Sequence, residues 1–162
     1  MQLEKKVFVV TGGGNGIGRE LALILLAKGA KVIAIDKDEV GLKETRQLAG
    51  NFSEDFAAYP LDVTDFEAVA GLPEHFQSEY GNVDGLINDA GTIQSFVKIN
   101  ALDFAEIERV MDNNFYGMVY MTKAFLPYLM QRPEALIVNF SSMGGFLPVP
   151  GQGVYGASKA AV

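Results

Sequence analysis

Val7-Phe8-Val9-Val10-Thr11-Gly12-Gly13-Gly14-Asn15-Gly16-Ile17-Gly18 joins an unbroken apolar run to a glycine-rich turn. Consecutive apolar residues closed off by glycines suit a strand buried on both faces, the kind found in parallel sheets. A turn without side chains lets the backbone approach a pyrophosphate closely. Glu20 to Ala27 then continues with helical periodicity, so free N–H groups and a partial positive charge face the same anion. Gly12, Gly14, Asn15, Gly16, Ile17 and Gly18 are therefore candidate cofactor-binding residues, and Gly18 also lets the helix pack tightly on the strand. A flexible turn shows the same glycines, but its placement between strand and helix favours the binding loop.

Working outward, Val32 to Ile35 is a second apolar run that completes a β-α-β unit. Further extended pieces lie at 56–61, 85–88 and 135–140, with helical stretches at 39–49 and 65–79 and one long helix over 103–131. Alternation of this kind predicts an α/β fold, a doubly wound Rossmann-type parallel sheet with helices on both faces. No repeat or Pro/Gly/Ser linker divides the 162 residues, which read as one dinucleotide-binding domain. Residues 152–162 open a further helix with no glycine cap or strand after it, so the domain is expected to be C-terminally incomplete, its fifth strand left at an edge.

Composition removes several function classes. With a net charge of −7 and no basic stretch, the chain offers nothing to a nucleic-acid backbone. It has no cysteine and a single histidine, His75, so neither a disulfide framework nor a metal site is expected. No signal-like start and no run of about 18 apolar residues occurs, which points to a soluble, cytoplasmic protein without a membrane partner.

The second strand ends at Asp36, where a carboxylate can accept hydrogen bonds from both adenosine ribose hydroxyls and repel a 2′-phosphate. Asp36 thus argues for NAD, with NADP the weaker candidate. The competing reading is a helix N-cap, for which Asp38 is also available, and Lys37 is the one residue that could meet a 2′-phosphate. Asp62-Val63 could place a carboxylate near the adenine amino group or simply form a turn. Asn88-Asp89-Ala90-Gly91 ends the fourth strand with residues small enough for a cofactor to lie across them. Tyr155 and Lys159 stand four residues apart, on one helical face, where an ammonium favours the ionised phenol. Such a pair suits acid/base catalysis.

The Thr-Gly-x-x-x-Gly-x-Gly loop at Thr11 to Gly18, Asp62-Val63, Asn88 to Gly91, Asn114 in Asn113-Asn114-Phe115-Tyr116-Gly117, Ser141-Ser142 and Tyr155 with Lys159 share an order and spacing with a known family. Over nearly its whole length the chain resembles the standard single-domain branch of the short-chain dehydrogenases/reductases. The resemblance implies hydride transfer between a nicotinamide cofactor and the carbon of a secondary alcohol or ketone. In it Tyr155 is the proton donor or acceptor, and Lys159 assists the phenol and holds the nicotinamide ribose. Ser142 holds the substrate oxygen, preferred over Ser141 on its interval to Tyr155. Asn114 would hold a water linking Lys159 to solvent; without the resemblance it reads as an ordinary polar helix residue. A small-molecule alcohol or ketone and a homodimer or homotetramer are the implied partners. Two departures stand out: Asp89 occupies a position where the family commonly has asparagine, and family members continue past the catalytic helix. The loop at 143–151 offers Phe146, Leu147 and Val149 either to substrate or to a further C-terminal segment. A non-catalytic dinucleotide-binding fragment or regulatory protein is the alternative, against which the joint presence of Asn114, Ser142, Tyr155 and Lys159 counts.

Overall fold

Successive side chains on a strand point to opposite faces, so β1 (Val7–Thr11) must bury Val7 and Val9 on one side and Phe8 and Val10 on the other. In the computed structural model, which describes residues 2–162, both sides are covered. Phe8 and Val10 pack with Leu25 and Leu26 of α1 (Gly16–Ala27) and Leu42 of α2 (Glu39–Ala49). Val7 and Val9 pack with Phe76 of α4 (Leu72–Tyr80) and with Met121, Phe125 and Leu129 of α6 (Gly117–Leu129). The other strands are β2 (Lys31–Asp36), β3 (Phe56–Pro60), β4 (Gly85–Asn88) and β5 (Leu136–Asn139). They form a parallel sheet in the order β3-β2-β1-β4-β5. The winding direction reverses between β1 and β4, which opens a crevice beyond their carboxyl ends. Thr11 pairs with both Ile35 and Asn88, so β1, β2 and β4 end level with one another at that crevice.

The helix expected at 39–49 is found, but two others are divided. The 65–79 stretch becomes α3 (Phe66–Ala70) and α4, separated at Gly71. Pro73 stands in the first turn of α4 and has no N–H with which to continue the ladder of α3. The long helix over 103–131 is α5 (Phe104–Met111), a π-helical turn at Asp112–Tyr116, and α6. In that turn the Gly117 amide donates to the carbonyl of Asp112, one residue further back than in an α-helix. Asn114 lies within it and is almost wholly buried. The final helix, α7, spans Gly153–Ala160. As expected, β5 is an edge strand, and its Leu136 is 40% exposed.

At the opposite end of the strands, Asp84 accepts hydrogen bonds from the Val7 amide at 3.1 Å, Lys6 Nζ at 3.2 Å and Arg132 Nη2 at 2.9 Å. Burial opposes its ionisation, but the Val7 amide, Arg132 and Lys6 together outweigh it and hold the carboxyl below its ordinary range. No helix among the described residues is long and apolar enough to cross a membrane.

Candidate active site

A cleft of about 520 Å³ lies at the carboxyl ends of β1, β2 and β4, lined by the glycine loop, Asp36, Asp62, Val63, Ala90, Gly91, Tyr155 and Lys159. Gly12 has a φ of +74°, and a Cβ there would come within 3.0 Å of the Ala90 amide nitrogen. A Cβ on Gly18 would collide with the Gly12 carbonyl, so α1 can begin against the loop only because that position carries no side chain. Asn15 precedes α1 without capping it by its side chain, so the first amides of the helix keep no partner from Asn15. The loop is braced from behind. Arg19 donates to the Gly14 carbonyl and pairs with Glu44 at 2.9 Å, while the Thr45 hydroxyl lies 2.9 Å from the Gly13 carbonyl. Thr11 Oγ1 accepts from the amides of Asp89 and Ala90, both at 3.1 Å, tying the end of β4 to the loop.

Asp36 is fixed at the end of β2 by two amides: Oδ2 accepts from Gly14 at 2.9 Å and Oδ1 from Asp38 at 3.0 Å. The N-cap of α2 is instead Asp38, which accepts from the Gly41 amide at 3.0 Å, so the capping reading of Asp36 falls away. Asp62 forms the expected turn and also lines the cleft. Its Oδ1 closes a turn with the Thr64 amide at 3.0 Å, and its Oδ2 lies 3.8 Å from the ammonium of Lys37 at the rim of the cleft. Asn88 sits deeper, donating to Asn139 Oδ1 at 2.8 Å and Thr122 Oγ1 at 3.1 Å, and so joins β4, β5 and α6 beneath the cleft. A helix start that Asn15 does not cap, a turn without side chains and a carboxylate fixed at the end of β2 make up a donor and acceptor set that fits a dinucleotide.

The other half of the cleft comes from α7. Lys159 is 7% exposed, and its Nζ donates to the Phe140 carbonyl at 2.7 Å. Burial lowers the pKa of its ammonium, and the carboxylate of Asp89 partly restores it. Burial likewise raises the carboxyl of Asp89, against the pull of the Gly18 amide and Lys159, while Asp36 adds to the rise. Tyr155 lines the same cleft, and among the described residues its hydroxyl has no hydrogen-bond partner. Ser142 Oγ accepts from the Gly144 amide at 3.1 Å, which leaves its own hydrogen free to donate. A Cβ on Gly144 would lie 3.3 Å from Tyr155 Cε1 and 3.6 Å from Ser142 Oγ, so serine and phenol flank one glycine. It is nevertheless Ser141 that lines the cleft, and its hydroxyl donates to the Lys159 carbonyl.

Asn114 uses its whole amide on protein. Nδ2 donates to the Thr92 carbonyl and to Ser158 Oγ, both at 2.9 Å, and Oδ1 accepts from the Thr92 amide at 2.7 Å. Gly91 lies between Asn114 and Lys159, since a Cβ there would be 3.1 Å from Oδ1 of the first and 3.4 Å from Nζ of the second. Of Asn114, Ser142, Tyr155 and Lys159, the last two line one end of the cleft, while Ser142 stands across Gly144 from Tyr155 and Asn114 across Gly91 from Lys159, just outside the lining. The structure does not bring Phe146, Leu147 and Val149 there; they line a separate recess of about 290 Å³ against α7. His75 is on α4, exposed and 3.2 Å from Glu79, away from the cleft. Arg19, Thr45, Thr92 and Gln94 all support the site and escaped the sequence reading, because each is one polar residue whose partners come from distant segments.

A family model described as short chain dehydrogenase matches residues 6–162. Among curated proteins, a Mycobacterium tuberculosis relative with the provisional name oxidoreductase SadH is 41% identical over 159 residues, which cover 98% of this chain and 57% of that protein. The solved structure of NAD⁺-bound xylitol dehydrogenase superimposes with a TM-score of 0.93 at 29% identity, covering 99% of this chain and 62% of its own. A structure from Shigella flexneri 2a, described as a short chain dehydrogenase complexed with NADP, gives a TM-score of 0.91 at 26% identity, covering 99% and 69% respectively. The chain therefore spans little more than half the length of the first of these relatives.

Proposed function

The chain belongs to the short chain dehydrogenase family, and from that premise we propose that it is the NAD-binding and proton-transferring part of a secondary alcohol dehydrogenase or ketone reductase. Residues 1–162 then act as one NAD(P)-binding domain. The observation that carries this reading is the convergence, in one cleft, of the glycine loop and Asp36 with Tyr155 and the buried Lys159. When bound, the nicotinamide cofactor supplies or accepts the hydride. Gly12, Gly14, Asn15, Gly16, Ile17 and Gly18 would hold its pyrophosphate, Asp36 its adenosine ribose and Asp62 with Val63 its adenine, while Asn88, Ala90 and Gly91 are small enough for it to cross the end of β4.

The remaining chemistry belongs to side chains. A carbonyl carbon that gains a hydride needs a proton at its oxygen, and Tyr155 presents one from its hydroxyl. Lys159, held by the Phe140 carbonyl, stabilises the phenolate left behind. Ser142, whose hydroxyl hydrogen is free, donates to the same substrate oxygen. Asn114 serves through the frame it builds with Thr92 and Ser158. Preference for NAD rests on Asp36, whose negative charge opposes a 2′-phosphate, and on Arg19, whose cation is committed to Gly14 and Glu44. The apolar side chains exposed on α5 and α6, Phe104 and Leu126, support assembly into a homo-oligomer.

Tyr155→Phe tests the reading. With NADH and a panel of ketones, turnover is expected to fall by about 10²- to 10⁴-fold, the range for loss of a general acid, while NADH binding measured by fluorescence persists. A variant that turns over like the wild type rejects the assignment.

A further inference from the structure

On the premise that Tyr155 is the acid, we propose that Gln94 is the positioning residue that sets its place, by capping the catalytic helix from the loop after β4. α7 starts without a side-chain cap of its own, since Gln152 makes no such bond. A helix start leaves several N–H groups unpaired, and they are costly when buried. Gln94, 3% exposed, fills the gap: its Oε1 accepts from the amides of Val154 and Tyr155, each at 2.8 Å, and its Nε2 donates to the Gly151 carbonyl at 2.9 Å. The orientation of the side-chain amide is forced, because the flipped form would set NH₂ against two N–H donors and oxygen against a carbonyl. One of the amides it binds is that of Tyr155 itself.

The loop carrying Gln94 is in turn held by α5 and the π-helical turn. Asn114 grips Thr92 at both its amide and its carbonyl, Arg109 donates to the Ile93 carbonyl at 3.1 Å, and Glu106 accepts from the Ser95 amide at 2.6 Å. Asn114 also reaches α7 directly through Ser158, whose hydroxyl donates to the Tyr155 carbonyl at 2.8 Å. The backbone N–H of Tyr155 is thus fixed by Gln94 and its carbonyl by Ser158, and both supports lead back to α5 and the π-helical turn that follows it. A neutral amide suits the position, because a carboxylate would keep the two acceptor bonds but turn an oxygen toward the Gly151 carbonyl.

Three purified variants separate this role from simple stabilisation. Gln94→Met fills the same space without hydrogen bonds, Gln94→Glu keeps an acceptor for Val154 and Tyr155, and Tyr155→Phe reports on the parent reading. We expect Gln94→Met to lower kcat by about 10-fold or more, as misplacement of a reacting group does, with an altered pH profile and an unchanged Kd for NADH. Gln94→Glu should recover part of the lost kcat. A Gln94→Met enzyme with wild-type kcat and pH profile overturns the proposal, whatever happens to its Tm. If that variant does not fold, rapid hydrogen exchange of the Val154 and Tyr155 amides in the wild type overturns it instead. Failure of the parent reading appears separately, as turnover retained in Tyr155→Phe.

Discussion

Replacing Asp84 by asparagine removes one negative charge from the end of the sheet remote from the cleft, and its cost can be worked from the contacts there. Asp84 is 4% exposed by its side chain, whereas Lys6 and Arg132 are 27% and 24% exposed. Removing one member of a fully buried ion pair costs about 3–5 kcal/mol. Solvent reaches roughly a quarter of each cation here, so screening brings the figure down to about 2–3 kcal/mol. Asparagine adds a geometric conflict, because its NH₂ must face either the Val7 amide or the two cations. For a domain of this size that amounts to a fall in Tm of about 4–12 °C. The carboxyl is depressed in the folded state, so its contribution is fully present above the unfolded value of about 3.9 and is lost as pH falls through the folded one. The gap in Tm between wild type and Asp84→Asn should therefore be wide at pH 7 and close in acid. Thermal melts by circular dichroism, with NADH titrations alongside, provide the measurement. An equal gap at both pH values, or none, refutes the electrostatic account. Weakened NADH binding would refute the separation of this cluster from the cleft.

Asp36→Ala should weaken NADH and narrow its advantage over NADPH, read as the ratio of the two Kd values; an unchanged ratio removes Asp36 from the ribose role. Gly18→Ala forces a methyl group onto the Gly12 carbonyl and should cost about 1–3 kcal/mol in stability together with most of the NADH affinity. Gly153→Ala meets nothing within 4 Å and should be neutral or stabilise by about 0.4–1 kcal/mol, so similar losses in both variants would show that close approach is not the reason for Gly18. Asp89→Asn removes a carboxyl whose ionisation burial disfavours. It should raise Tm at pH 7, and the gain should shrink on acidification, because wild-type Asp89 takes up its proton more readily in the folded than in the unfolded chain. A gain independent of pH would point to packing instead.

The strands were legible because a parallel strand covered on both faces must be apolar at every position, as Val7 to Val10 and Val32 to Ile35 are. The glycine loop was legible for the opposite reason, since steric exclusion leaves glycine no substitute at Gly12 or Gly18. The helices were read less well where apolar periodicity ran on past a local break. Pro73 signals one such break on its own, but the π-helical turn at Asp112–Tyr116 depends on an inward-facing Asn114 whose partners, Thr92 and Ser158, lie far away in sequence. Polar braces are the least visible class. A strand advertises itself by pattern, whereas Gln94 or Thr45 earns its role from a single directed contact that no spacing encodes.

That difference bears on how the site holds its geometry. β1, β2 and β4 place the glycine loop and Asp36 by burying apolar side chains on both faces, a non-directional force that fixes the layers. α7 is held another way: its buried residues are Ser158 and Lys159, both polar. Lys159 Nζ bonds to Phe140, Ser141 to the Lys159 carbonyl, Asn114 to Ser158, and Gln94 to Val154 and Tyr155. Hydrogen bonds weaken steeply with distance and angle, so five such bonds from three segments define one position of α7 more narrowly than an apolar contact of similar strength could. Each tie is individually modest, near 1 kcal/mol net, and loss of any one leaves the two cores intact. Polar deletions around α7 should therefore separate activity from stability, whereas deletions in the cores should lower both together.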